Sequence, residues 1–200
     1  MITISQVADR IGGHICKEAG LESELNKICF GIEVIMVMSV SVLAIIAIGG
    51  VLGMFWETLL VTCAAFIMKF VIGGPHLSGF FRCLVYSTIL VCGGAWLCNV
   101  HQLWLSRPIT LSLLLLDLLI MVNVQLAPSY KTYSRSQTLG RKAVALSLVL
   151  VPTIVYLEFL NFWSAGALIG FTISIINISP MGTNLVKWLD QITNQGGAGQ

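Results

Sequence analysis

Two residues in one run of this chain are best suited to act as nucleophile and base in covalent attack on a carbonyl. They are His76 and Cys83, in the run Gly73-Gly74-Pro75-His76-Leu77-Ser78-Gly79-Phe80-Phe81-Arg82-Cys83. A thiol attacks carbonyl carbon well only as thiolate, and a neighbouring imidazole is the usual way to make one near neutral pH. Lys69 and Arg82 lie on either side of the histidine, and their positive charge favours the thiolate. The plain rival reading is an interfacial histidine and an inert helix cysteine. Spacing alone does not separate the two, so the surrounding chain has to.

Residues seven apart on a straight helix share a face but lie about 10 Å apart along its axis, too far for a hydrogen bond. His76 must therefore precede the helix that carries Cys83 and fold back toward it, or meet the cysteine of a second subunit. Gly73 and Gly74 permit turns closed to other residues, and Pro75 is tolerated in a first helical turn. Unpaired backbone N–H groups at such a helix start suit a developing oxyanion.

The elements that must position this run are apolar helices. Charged residues make up 10%, hydrophobic residues 56%, and the mean hydropathy is +0.90, values foreign to an ordinary soluble domain. The expected fold is therefore an all-α integral membrane protein. Ile4, Val7, Ala8, Ile11 and Ile15 form a helical stripe within residues 1–29, read as an amphipathic helix on the cytoplasmic membrane surface. Gly12 and Gly13 would allow two shorter helices instead. No cleaved signal is expected, because Asp9, Arg10, Lys17, Glu18, Glu22, Glu24 and Lys27 interrupt this region.

Six apolar runs follow, at about 31–52, 54–72, 80–100, 108–126, 143–160 and 162–180, each near the ~20 residues that cross a bilayer. Residues 30–180 form the expected six-span domain, and 181–200 a cytoplasmic tail with a short amphipathic turn around Leu185, Val186, Trp188 and Leu189. With the N-terminus cytoplasmic, every basic residue except Arg107 falls on the inner side, as the positive-inside rule asks. Both termini and the His76–Cys83 run are then cytoplasmic.

The net charge of +2 gives no reason to expect nucleic acid. The six cysteines contain no CxxC pair, so neither a disulfide framework nor a metal site is indicated, and no cofactor is expected.

An amphipathic N-terminus, about six spans, and Lys69 followed by Gly73, Gly74, His76 and Cys83 together resemble the accessory gene regulator B (AgrB) family. These are bacterial membrane cysteine endopeptidases of peptide quorum sensing. The resemblance covers essentially the whole chain. A looser match is Leu126-Ala127-Pro128 before a basic loop. Where the family often has a second proline, this chain reads SYKTYSRS, which bears on the loop and on substrate preference but not on the pair.

The resemblance implies that Cys83 cleaves the C-terminal tail from a short autoinducer propeptide through a thioester. A propeptide cysteine or serine would then close a thiolactone or lactone. His76 would act as base and then acid, and Lys69, Gly73, Gly74 and Arg82 would support the site. The resemblance also leans toward a homodimer in the bacterial cell membrane. A peptide exporter that is not an enzyme, or transfer of another acyl group, are the rival functions.

Other polar residues have two readings. Asn123 or Gln125 would orient His76 or else bond between helices. Asp117, in mid-span, is expected to pair inside the bundle. Lys131, Arg135, Arg141 and Lys142 satisfy topology and would also attract an acidic propeptide tail. Gly166 and Gly170 have a GxxxG spacing suited to close helix packing or a subunit contact. His101 is read as interfacial at the outer boundary.

Overall fold

The computed structural model describes residues 4–20, 24–73, 80–101, 105–124, 135–159 and 161–195. Among the described residues the elements are helices: α1 (Ile4–Ala19), α2 (Leu25–Val51), α3 (Phe55–Ile72), α4 (Phe80–Asn99), α5 (Arg107–Asn123), α6 (Arg135–Phe159), α7 (Phe162–Ile178) and α8 (Pro180–Gln195). No strand occurs among them, in agreement with the all-α expectation. The chain divides into two compact units, Met1–Ala44 and Ile45–Gln200.

In the first unit α1 runs unbroken through Gly12 and Gly13, so the alternative of two shorter helices falls away. Gly12 is used for a close approach: a β-carbon there would collide with Cys29 at the start of α2. Ala8 and Cys16, one turn before and after Gly12, are buried with it, whereas Ile11 and Ile15 remain exposed. Gly20, at φ 65°, follows the helix as a left-handed residue that glycine adopts without strain.

The second unit is organised around α7, most of which is buried from Ser164 to Ile175. Small residues explain how one helix accommodates so many neighbours. A β-carbon added at Gly170 would lie 2.7 Å from both the Ala64 β-carbon and the Val61 carbonyl oxygen of α3, and one at Gly166 would lie 3.0 Å from the Leu60 β-carbon. The GxxxG pair is therefore spent inside this chain, on α3, and not on a second subunit. Gly94 lets α4 approach Ile173 and Ile169 of α7 in the same way. Between α5 and α7, Thr172 Oγ1 donates to Asp117 Oδ2 at 2.8 Å, with Asp117 fully buried, which supplies the expected intramolecular partner.

Helices coincide with all six predicted apolar runs. Four of them, α2, α3, α4 and the part of α6 from Gln137, are long and apolar enough to cross a membrane, and α7 with α8 makes a fifth if that bent pair is one span. The 17 residues of α5 span about 25 Å, so among the described residues length and composition alone pick out four to five spans.

Two boundaries differ from expectation. α6 begins at Arg135, so much of the basic segment read as a loop is helix. Lys142 donates to the Val122 carbonyl at 3.1 Å, satisfying a carbonyl in the last turn of α5 that its own helix leaves unpaired. α8 is a 16-residue helix, not a short turn. His101 is buried within the bundle: its Nδ1 lies 2.8 Å from the Cys98 carbonyl, and its ring meets Tyr156 edge-on.

The elbow between α7 and α8 bends by 69° and has a local cause. Ser179 Oγ donates to the Ile176 carbonyl at 2.6 Å, closing α7, and accepts from the Gly182 N–H at 3.1 Å, capping α8. Pro180 follows at the first helical position, where its missing N–H costs nothing. A β-carbon on Gly182 would lie 2.6 Å from the Asn177 carbonyl oxygen, so only glycine fits this corner.

Candidate functional site

The chain directions gather one set of helix ends. Leu60, Val61 and Ala65 of α3 meet Gly166, Gly170 and Ser174 of α7 in rising order, so these two helices run parallel and finish at the same end. α4 starts there, because Tyr86 in its second turn reaches Asn177 in the last turn of α7. The Lys142 bond joins the end of α5 to the start of α6. The start of α6 also meets the end of α3 in an open groove of about 440 Å³ lined by Phe70, Val71, Gln137, Gly140, Arg141 and Val144. Lys69, Arg82, Arg141, Lys142 and Lys187 thus belong to this end, while Arg107 begins α5 at the other.

Cys83 is on α4, close to the first described residue of that helix, half-buried and outside any disulfide. Gly73 ends α3 with φ 75° and ψ −162°, its N–H bonded to the Lys69 carbonyl at 2.9 Å. That left-handed backbone is the physical need for glycine at the start of the GGPH run. Lys69 itself is half-buried in the last turn of α3.

Several expected site residues lie outside the described residues: Gly74, His76, Gln125 and Lys131, together with the side chain of Arg135. Asn123 is exposed, and its amide donates to the Leu119 carbonyl of its own helix at 2.7 Å. Lys142 is engaged on α5, as above, and Arg141 lines the groove against α3.

Residues that sequence reasoning missed hold α4, the helix carrying Cys83, in place. The Tyr86 hydroxyl donates to Asn177 Oδ1 at 2.8 Å. Arg82 Nη1 lies 3.8 Å from Asp190 Oδ1 of α8, with both side chains about one-third exposed or less. The available signals were Asn177 at the end of an otherwise apolar run, and the one-turn spacing of Arg82 and Tyr86.

The family model described as accessory gene regulator B matches residues 8–180. The chain belongs to the AgrB family. That match spans α1 to α7 and contains the whole His76–Cys83 run, and membership gives the protein a role in quorum-sensing peptide processing. Comparisons with curated proteins and with solved structures find no match. As an AgrB protein it carries the nucleophile candidate on α4, beside α7 and α8, at the cation-rich end of the helices.

Proposed function

We propose that this AgrB protein is a membrane-embedded cysteine endopeptidase that removes the C-terminal tail of an autoinducer propeptide. The observation that carries the reading is the position of Cys83: on α4, half-buried, at the end of the helices where Lys69, Arg82 and Arg141 collect. His76, seven residues earlier, is assigned as the base. The Cys83 thiol gives its proton to the imidazole, and the sulfur bonds to the scissile carbonyl carbon. The C–N bond then breaks, and the imidazolium returns the proton to the departing amine of the tail. The acyl group is left as a thioester on Cys83.

A thiol or hydroxyl inside the propeptide next attacks that thioester. Its proton passes through His76 to the Cys83 sulfur, and a thiolactone or lactone leaves. Keeping water from the thioester favours this closure over hydrolysis. The orientation supported by the clustered cations puts the site and both termini on the cytoplasmic side of the bacterial membrane. Six spans and a homodimer complete the proposal. The groove bearing Arg141 is a place for an acidic propeptide tail, with Lys131, Arg135 and Lys142 adding to the positive field. Asn123 and Gln125 remain candidates for orienting His76.

The test is release of the tail from a synthetic propeptide by the protein in liposomes. Wild type should release it, Cys83→Ala should not, and His76→Ala should lose at least 100-fold, the scale of general-base loss. Equal release by Cys83→Ala rejects the proposal.

A further inference from the structure

Arg82 and Tyr86 stand one turn apart on α4 and are bound by one continuous piece of chain, the end of α7 and the middle of α8. Cys83 lies between them in sequence and, at 100° per residue, about 60° around the helix from Tyr86. We propose that Asn177 and Asp190 are positioning residues for Cys83, acting through Tyr86 and Arg82, and that the α7–α8 elbow is the strut that sets the rotation of the nucleophile helix. The inference rests on the proposed endopeptidase reading and adds residues that act on it.

The magnitude of the effect follows from helix geometry. A side-chain atom sits about 5 Å from a helix axis, so a rotation of ~20° moves the sulfur by about 2 Å. Displacements of about 1 Å can cost on the order of 100-fold in a covalent step. One hydrogen bond and one ion pair a turn apart resist such a rotation more than apolar packing alone, because Phe81, Val85 and Ile89 of α4 are exposed and give no directional restraint.

α8 is suited to be a strut because its sides face different surroundings. Gly182, Val186 and Asp190 recur one turn apart on the side toward the other helices, where Val186 is 2% exposed and Asp190 meets Arg82. Met181, Leu185, Trp188 and Ile192 form a second stripe that is exposed. An exposed apolar stripe after a sharp bend from a buried apolar helix fits a helix lying in the membrane interface. The capped elbow at Ser179 fixes its departure angle, so the docking of α8 is transmitted to α4 rather than lost in a hinge.

The experiment follows acyl-enzyme formation in a single turnover, with the protein in liposomes and a synthetic propeptide at varied concentration. The variants are Tyr86→Phe, Asn177→Leu, Asn177→Asp, Asp190→Asn, Asp190→Glu and the double Tyr86→Phe/Asn177→Leu. Tyr86→Phe and Asn177→Leu should each slow the maximal acylation rate about tenfold, with half-saturation unchanged. The double should be no slower than the slower single, because both remove the same bond. Asn177→Asp, which keeps an acceptor, should stay within about twofold of wild type. Asp190→Asn should slow acylation several-fold and Asp190→Glu should restore it.

Tyr86→Phe removes one oxygen and leaves packing intact, so folding does not confound it; a matching thermal midpoint checks this. Wild-type rates in the single variants, or a loss seen only in half-saturation, overturn the proposal while leaving the endopeptidase reading standing. Absence of a Cys83 adduct in wild type defeats that parent reading instead.

Discussion

The Tyr86 hydroxyl and the Asn177 side chain are hydrogen-bonded at 2.8 Å although 91 residues separate them in the chain. That contact joins the helix carrying Cys83 to the end of the most buried helix. It makes the position of Cys83 depend on packing throughout the second unit, and several consequences can be measured.

Gly170→Ala should destabilise the protein by about 1–3 kcal/mol, the usual cost of overpacking. The new methyl would stand 2.7 Å from the Val61 carbonyl oxygen, which cannot turn aside. Gly93→Ala, with nothing within 4 Å, is the matched control. Thermal unfolding in detergent reads both, and the distribution of monomer and dimer should be unmoved by Gly170→Ala, because its face is already covered by α3.

Asp117 and Thr172 make a structural pair in the apolar interior. Thr172→Val should cost about 0.6–1.7 kcal/mol, the measured range for such bonds between membrane helices. Asp117→Asn should be milder, since an amide oxygen can accept from the same hydroxyl. Both variants should keep their peptidase rate per folded molecule. A large loss of rate with unchanged stability would move Asp117 into the mechanism.

At the elbow, Gly182→Ala should act further from its own position than a surface change would. Its β-carbon would meet the Asn177 carbonyl oxygen at 2.6 Å, so α8 must shift and take Asp190 away from Arg82. Acylation should fall about as far as in Asp190→Asn or further. Ser179→Ala, which removes the cap, should lower stability by about 1 kcal/mol. Parallel measurements of rate and thermal midpoint separate these two outcomes.

Lys142 and Arg141 are neighbours with different work. Lys142→Met should cost about 0.3–1 kcal/mol of stability, as loss of a cation at a helix C-terminus does, because Lys142 bonds the Val122 carbonyl. Propeptide affinity should fall less than in Arg141→Met, because Lys142 only adds to the field around the groove. Arg141→Met should weaken affinity for a propeptide with an acidic tail, and less so at high salt, where surface charge is screened. Titration of labelled propeptide at two salt concentrations measures the difference.

Apolar runs such as 54–72 and 80–100 were readable because a bilayer imposes length and composition on any chain that crosses it. The boundaries at α3 and α4 agree with that reading to within a residue or two. The need for glycine at position 73 was also visible, since few residues tolerate its backbone. What stayed hidden depends on which helix ends meet. Nothing local to Asn177 marks Tyr86 as its partner, and the sharp elbow at Ser179 arises from a serine that serves two helices. The segment from Arg135 to Lys142 read as loop because its charges dominated the pattern, whereas helix continuation and the bond to α5 outweigh them. The GxxxG pair showed that a close contact was required but not with what; α3 supplies it.

The most direct test of the catalytic account is intact mass spectrometry of the protein quenched in acid during reaction with its propeptide. The account predicts a mass increase equal to the propeptide without its C-terminal tail, released by neutral hydroxylamine as a thioester is. That increase should be absent in Cys83→Ala and strongly reduced in His76→Ala. Tail release by wild type with no such adduct, or an adduct that persists in Cys83→Ala, would contradict it.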